Sequence, residues 1–279
     1  MEYTARKPRR FGALTGLLDF MAFTGLWPAA VAAGLVAACG LTLTGTPPAG
    51  PLAAAVALGA CGTLVVYNID RLRDLEVDRL TAPERSRFVS RHREALTALA
   101  VASAGMCLPL VAMLPQAVAW VCAGALGLGL FHRRLKGTHP GFAVLYITLA
   151  WVAVVVGVPV AAVAPELGPG EGMALAMAAA LGASAIAPGI AANLIASELR
   201  GQPADKTTRR RLRTAGILAL AGCLGPLTTA ASRPLVAIPL AVWLSLLGFR
   251  NSERYGLLVL DGALLLGALG AIALIVGPN

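Results

Sequence analysis

Apolar stretches long enough to cross a bilayer follow one another along almost the whole chain, and the positive charge between them falls in every second connection. A spanning helix needs about 20 apolar residues, because the hydrocarbon layer is about 30 Å thick and a helix rises about 1.5 Å per residue. The sequence predicts nine such helices, over residues 24–44, 51–69, 95–114, 116–132, 140–163, 172–197, 212–231, 234–249 and 255–277. Pro109, Pro159, Pro188, Pro226 and Pro239 fall inside them and predict kinks. Residues 8–20 (PRRFGALTGLLDF) read as an amphipathic helix in the membrane interface, leading into the first span.

All but Arg233 of the 23 lysines and arginines lie in the N-terminal segment, in 71–93, in 133–136, in 200–213, or at Arg250 and Arg254. The opposite connections, 45–50, the Leu114-Pro115 corner, 164–171 and 232–233, are short, and Glu166, Glu171 and Arg233 are their only charges. Under the positive-inside rule the charged connections and the N-terminus face the cytoplasm, and an odd number of spans leaves the C-terminus outside. The net charge of +9 is then a topology signal, and no nucleic acid partner is needed to explain it. Hydrophobic residues make up 57% of the chain and charged ones 13%, against about 25% charged in a soluble domain. That excludes a soluble domain, a disordered chain and a disulfide scaffold. The five cysteines sit in apolar segments with no C-x-x-C pair, and they read as packing residues. The N-terminus has no short apolar region with a cleavage site, so it reads as retained. The fold class is an all-α polytopic membrane protein, a single transmembrane domain over 1–279.

Two acidic clusters stand out, in the connecting segments 68–94 and 193–211. The first runs Asn68-Ile-Asp70-Arg71-Leu-Arg73-Asp74-Leu-Glu76-Val-Asp78-Arg79 and closes the second span. Asp70, Asp74 and Asp78 are spaced i, i+4, i+8, which puts them in one stripe on a helix. Like charges at that spacing repel by a few tenths of a kcal/mol per pair. A stripe of acids makes sense if a cation sits on it, and oxygen-only ligands suit Mg²⁺ shared with substrate phosphates. Ion pairs within the segment, Asp70 with Arg73 and Asp74 with Arg71, are the structural alternative. The second cluster, Asn193-Leu-Ile-Ala-Ser-Glu198-Leu-Arg200-Gly-Gln-Pro-Ala-Asp205-Lys206, closes the sixth span on the same side. On its own a solvated loop accounts for it equally well.

The two clusters, their places after spans two and six, and the nine spans resemble the UbiA-type intramembrane prenyltransferases. The similarity covers nearly the whole chain. That family carries N-D-x-x-D-x-x-x-D after its second helix and D-x-x-D-x-x-x-D after its sixth. Asp74-Leu-Glu-Val-Asp78 followed by Pro83-Glu-Arg85 fits the first motif and its downstream Pro-x-Arg. Phe131-His-Arg-Arg134-Leu-Lys136, with Leu149-Ala-Trp151, resembles the passage from the fourth helix into the fifth. Glu198 and Asp205 take the outer positions of the second motif, and Asn193 suits the residue before it. The sequence departs from the pattern where Asp70 holds the Asn position, Arg71 the next Asp, Glu198 the first acid and Gly201 the middle acid of the second motif.

The resemblance implies helices around a central cavity in a bacterial inner membrane, with the site facing the cytoplasm. It implies Mg²⁺-dependent transfer of an isoprenyl group from a prenyl diphosphate to an aromatic or other lipophilic acceptor. Asp70, Asp74, Asp78, Glu198 and Asp205 would be the catalytic, metal-side acids. Arg71, Arg85, Arg134, Lys136, Arg200 and Lys206 would clamp the diphosphate, and Asn193 would join them in binding substrate. Membrane lipids are the remaining partner. Two other readings compete. One is a catalytically degenerate homologue that binds lipid, quinone or pigment as a structural or assembly protein. The other is a cation- or proton-coupled transporter, which would carry its acids near the bilayer midplane. Convergence of both clusters at the mouth of one apolar cavity favours the enzyme, whereas acids paired to arginines in solvent weaken it. Asp261, inside the last span, is costly there and expected to face a cavity or another helix.

Overall fold

The computed structural model describes residues 13–130, 140–166, 168, 170–252 and 254–277, and these residues are helical, with no strand among them. Helix α1 (Ala13–Phe23) precedes α2 (Leu26–Thr44), and α3 (Gly50–Arg73) returns antiparallel to it. Two short helices follow, α4 (Leu75–Thr81) and α5 (Pro83–Arg91), then α6 (Arg93–Ala112) and α7 (Gln116–Leu130). Helix α8 (Pro140–Val152) runs through a π-helical turn, Ala153–Gly157, into α9 (Val158–Val163). The remainder comprises α10 (Gly172–Glu198), α11 (Lys206–Ala221), α12 (Ala237–Leu247), a second π-helical turn at Tyr255–Leu260, and α13 (Asp261–Val276).

Among the described residues six segments are long and apolar enough to cross a membrane: Leu26–Thr44, Gly50–Arg73, Arg93–Ala112, Gly141–Val163, Gly172–Glu198 and Tyr255–Val276. They match six of the nine expected spans. Two more, 116–132 and 234–249, form shorter apolar helices, Gln116–Gly129 and Arg233–Leu247. The last, 212–231, differs in kind. Helix α11 begins at Lys206, carries Arg209, Arg210, Arg211 and Arg213 in its first half, and stops at Gly222 ahead of a 3-10 turn at Pro226–Thr228. Its charged half leaves too few apolar residues for a full span.

Helix α2 is the centre of the bundle. Ala32, Leu35, Val36 and Ala38 are wholly buried, and α2 packs along α3 and α13, while α12 packs on α13 and α6 on α3. Small residues permit these close contacts, as expected where helices associate without water to drive them. The outer surface is apolar too: Val101, Leu108, Trp120, Met173 and Leu266 are all exposed. In water such a surface would be an association liability, and against acyl chains it costs nothing.

Of the segment 8–20 expected as an interfacial helix, residues 13–20 fall in α1, which runs from Ala13 to Phe23, and residues 8–12 lie outside the described residues. Gly25, at φ +82°, turns the chain left-handed into α2. The last carbonyls of a helix have no partner within it. Here those of Phe23 and Thr24 are filled from α3, by Arg71 Nη1 (2.6 Å) and Asn68 Nδ2 (3.1 Å). Arg254 adds a clamp from the last span, donating to Asp19 on α1 (2.9 Å) and lying 3.3 Å from Glu84 on α5. Burial pushes the Asp19 carboxyl above its usual range, against the pull of Arg254, and Glu84 adds to the rise. Phe20 and Phe23 close the contact by packing on Phe88 of α5.

Candidate functional site

The acid stripe forms as its spacing predicts, although the helix carrying it breaks. Helix α3 ends at Asp74, whose backbone leaves helical geometry (φ −95°, ψ 12°). The four-residue hydrogen bonding nevertheless continues through the acids. The Asp74 N–H donates to the Asp70 carbonyl and the Asp78 N–H to the Asp74 carbonyl, both at 2.9 Å. The chain then turns sharply. Ala82 leaves helical geometry (φ −142°, ψ 66°), and Pro83 opens α5 at the position where its missing N–H costs nothing. That reversal carries Arg85 back over the stripe, where Nη2 and Nε grip the two oxygens of Asp78 at 2.7 and 3.1 Å.

The end of α10 mirrors the end of α3. Asn193 is buried and donates to the Leu260 carbonyl (2.8 Å), which closes the second π-helical turn. Asn68 plays the same part from α3, so each helix end sends one buried amide to a neighbouring backbone. Arg200 Nε donates to the Ser197 carbonyl (2.7 Å), and its side chain lies along Gly256. A Cβ at 256 would sit 2.5 Å from Arg200 Cδ, so this glycine leaves the channel in which Arg200 lies. Asn251 fastens the loop beyond, donating to the Gln202 carbonyl at 2.6 Å.

These ends meet on one cavity of about 220 Å³. Asp70, Asp74, Asp78, Arg71 and Arg85 line it from the first cluster, and Asn193, Ser197 and Arg200 from the second. Asp261 and Tyr67 complete its polar lining. The apolar wall comes from Val31 of α2, Trp151 of α8, Ile190 and Leu194 of α10, and Leu264 of α13, among others. Both π-helical turns adjoin the cavity, one just after Trp151 and the other just before Asp261. Such turns recur at functional sites because they re-aim side chains within a continuous helix.

Arg71 is the unusual group. It is 4% exposed, its Nη1 caps α1, and its guanidinium lies 5.4 Å from the Tyr67 ring centroid. Its Nη2 is buried without a hydrogen-bond partner among the described residues, an arrangement that costs about 1–3 kcal/mol for an ordinary donor and more for a charged one.

Of the residues singled out in the sequence, Asp70, Arg71, Asp74, Asp78, Arg85, Asn193 and Arg200 come together on this cavity. Glu198, Asp205 and Lys206 are not among its lining. Glu198 is exposed and pairs with Arg211. Asp205 is exposed and caps α11, accepting from the Thr208 N–H at 2.8 Å, which holds its carboxyl below the usual range. Lys206 is the exposed first residue of α11. Arg134 and Lys136 lie outside the described residues. The second cluster therefore contributes its amide, hydroxyl and guanidinium to the cavity, and its acids lie elsewhere. The sequence does not single out Tyr67, Trp151 and Ser197 as site residues, since nothing in their spacing separates them from packing residues. Asp261 did carry a signal, a carboxylate inside an apolar span.

Among the described residues no group of three or more His, Cys, Asp or Glu side chains is placed to hold a metal ion. Mg²⁺ has a lower requirement when it binds with a phosphate ligand, one or two carboxylates being usual. Asp70 and Asp74, one helical turn apart on the cavity, fit that smaller donor set. Asp78 is committed to Arg85. The chain matches no family model, no curated protein and no solved structure.

Proposed function

We propose that this chain is an intramembrane transferase of the UbiA type, moving an isoprenyl group from a prenyl diphosphate to an aromatic or other lipophilic acceptor. The observation that carries the reading is the convergence of two separate helix ends, those of α3 and α10, on one cavity that joins carboxylates and guanidinia to an apolar wall. In this reading nine segments cross a bacterial inner membrane, the N-terminus lies in the cytoplasm, and the cavity opens on that side.

The reaction breaks the bond between the allylic carbon and the diphosphate oxygen. Diphosphate leaves with the bonding pair, the allylic cation is attacked by the electron-rich acceptor, and the acceptor then loses a proton. Mg²⁺, held by Asp70 and Asp74 and completed by phosphate oxygens, would offset the charge on the departing diphosphate. Arg71 and Arg200 face that same charge, and fixed guanidinia stabilise it strongly where water is excluded. Arg85 acts through Asp78, which it holds at the rim. Trp151, Ile190, Leu194 and Leu264 give the prenyl chain an apolar surface and keep water from the cation.

The test is thermal unfolding of the purified chain in detergent with geranylgeranyl diphosphate, with and without Mg²⁺, beside Asp74→Asn. Ligand at 100 times its Kd should stabilise the protein by about 2.7 kcal/mol. The expected stabilisation requires Mg²⁺ and disappears in Asp74→Asn. Gly256→Ala gives a finer check. Its Cβ displaces Arg200, a flexible side chain, so unliganded stability should fall by at most about 1 kcal/mol, the low end of overpacking costs. The ligand-induced shift should shrink by more than half. An unchanged shift would mean that Arg200 does not touch the ligand.

A second reading has its own support. Asp78 and Glu198 are both occupied by arginines, which suits a non-catalytic homologue that binds a lipid, quinone or pigment. A folded protein with no response to geranylgeranyl diphosphate at any Mg²⁺ concentration would decide for it.

A further inference from the structure

We infer that the outward face of α11 is a binding site for an anionic phospholipid, taking the lipid phosphate on its first half and an acyl chain on its second. The inference is independent of the cavity and its chemistry. It needs only that the apolar helices around α11 lie in a bilayer.

One stripe of this helix is basic and then apolar. Helix α11 packs on α10 and α12, and Ala215 and Ala219 are wholly buried on its inner face. Lys206, Arg209, Arg210 and Arg213 are all exposed. At about 100° per residue they fall within about 60° of one outward line. Ile217 and Leu220 continue that line, and both are exposed. The helix rises about 10 Å from Arg213 to Leu220, roughly a third of the hydrocarbon thickness. A single lipid therefore reaches both halves, with its headgroup at the arginines and a chain along the apolar residues.

The fold does not account for these charges. Lys206 with Arg210 and Arg209 with Arg213 are like charges four residues apart, which repel, and cations in the first turns oppose the helix dipole. No acid occurs in 206–221 to offset them. The two nearest acids are engaged elsewhere, Asp205 in capping the helix and Glu198 with Arg211. A topology signal needs positive charge on one side of the membrane but no common face. Here Arg211 turns to α10, and the other four cations share the outward stripe. Neighbours three and four apart let Arg209, Arg210 and Arg213 bracket one phosphate, an acceptor that guanidinia match well. Their apolar stems can lie along the helix while the charged ends stay in the headgroup layer. A soluble polyanion would answer the cations alone, whereas a lipid answers both halves of the stripe.

The test compares two lipids that share acyl chains and differ in headgroup charge. The purified chain in a neutral detergent is titrated with dioleoylphosphatidylglycerol or dioleoylphosphatidylcholine, and the lipid fraction giving half the maximal thermal stabilisation is read. Phosphatidylglycerol is expected to act at a fraction about tenfold lower. An arginine at the membrane surface is worth about fivefold in affinity for anionic lipid. Arg213→Gln alone should therefore raise the phosphatidylglycerol midpoint about fivefold. Combined with Arg209→Gln and Arg210→Gln it should bring the two lipids within about twofold of each other. Arg87→Gln with Arg91→Gln, exposed on α5, should leave the preference intact. Free glycerol phosphate, which has no acyl chain, should not compete. Equal midpoints for the two lipids in the native chain would overturn the inference, and so would an equal loss of preference in the α5 variant. Full competition by glycerol phosphate would overturn it in favour of a soluble phosphate ligand. If the triple variant fails to fold, the single substitution decides. A chain that prefers phosphatidylglycerol but ignores geranylgeranyl diphosphate would keep this inference and lose the transferase reading.

Discussion

Arg85→Met is expected to destabilise the folded protein by about 3–5 kcal/mol, the cost of leaving a buried charge without its partner. The pair it breaks is secluded: the Arg85 side chain is 18% exposed and that of Asp78 11%. Its geometry is a two-pronged fork, with both carboxylate oxygens occupied, so removal of the guanidinium strips Asp78 of its compensation. Asp78→Asn combined with Arg85→Met should recover most of the loss, because neither partner then carries a charge that needs an answer. The measurement is equilibrium unfolding in detergent for both single variants and the double variant, read as a coupling energy. A different outcome is expected if Asp78 is a metal ligand held in reserve. Freeing it would then raise the affinity for Mg²⁺ and diphosphate, with little loss of stability. A destabilisation below about 1 kcal/mol, the range of exposed ion pairs, together with tighter metal binding, would overturn the structural role assigned to Asp78.

The pairing explains why the sequence leads correctly to the stripe and less surely to its chemistry. The spacing of Asp70, Asp74 and Asp78 is a local property, and four-residue hydrogen bonding preserves it even where the helix breaks at Asp74. That Asp78 is held by Arg85 depends on the reach of Arg85, which in turn depends on the turn at Ala82-Pro83. The apolar segments are legible for a related reason. Every turn of a lipid-facing helix must be apolar, whatever it packs against, so the signal needs no tertiary knowledge. The signal weakens where length is marginal. Residues 212–231 carry enough apolar character to suggest a span, but the helix there starts earlier, among arginines, and ends at Gly222. The second cluster illustrates the opposite limit. Glu198 and Arg200 are two residues apart, yet one pairs with Arg211 at the surface and the other runs along Gly256 into the cavity. Glu198 is the last residue of α10 and Arg200 lies in the turn beyond it, so the course of that turn and the placement of the last span decide which of them meets the site. Asp261 is conspicuous as a charge in an apolar run, but the cavity it lines is assembled from other elements.

Gly267→Leu should be the most damaging single change on the far side of the bundle. A Cβ at 267 would lie 2.6 Å from Ile238 Cα and 2.8 Å from the Ala237 carbonyl oxygen. Both are backbone atoms at the start of α12, so no side chain can rotate away, and the helices themselves must separate. Even Gly267→Ala is expected to lose about 1–3 kcal/mol to overpacking, partly offset by the helix preference of alanine over glycine, about 1 kcal/mol. Leucine adds three further carbons to the same contact and should leave little protein monodisperse in detergent. Gly270, one turn later on the same helix, supplies the control. A Cβ there would meet only Ala237 Cβ, at 3.6 Å, an ordinary contact. Gly270→Ala should therefore be neutral, or stabilising by up to about 1 kcal/mol from helix propensity. Thermal midpoints and the monodisperse fraction of both alanine variants decide the matter. If they behave alike, close approach of the α12 and α13 backbones is not what holds this pair. If they differ as expected, small residues set the crossing that carries Asp261, at the head of α13, onto the cavity wall. In that case Gly267→Ala should also reduce the response to geranylgeranyl diphosphate, since the helix that must shift to admit the methyl group is the one that presents Asp261 and Leu264 to the site.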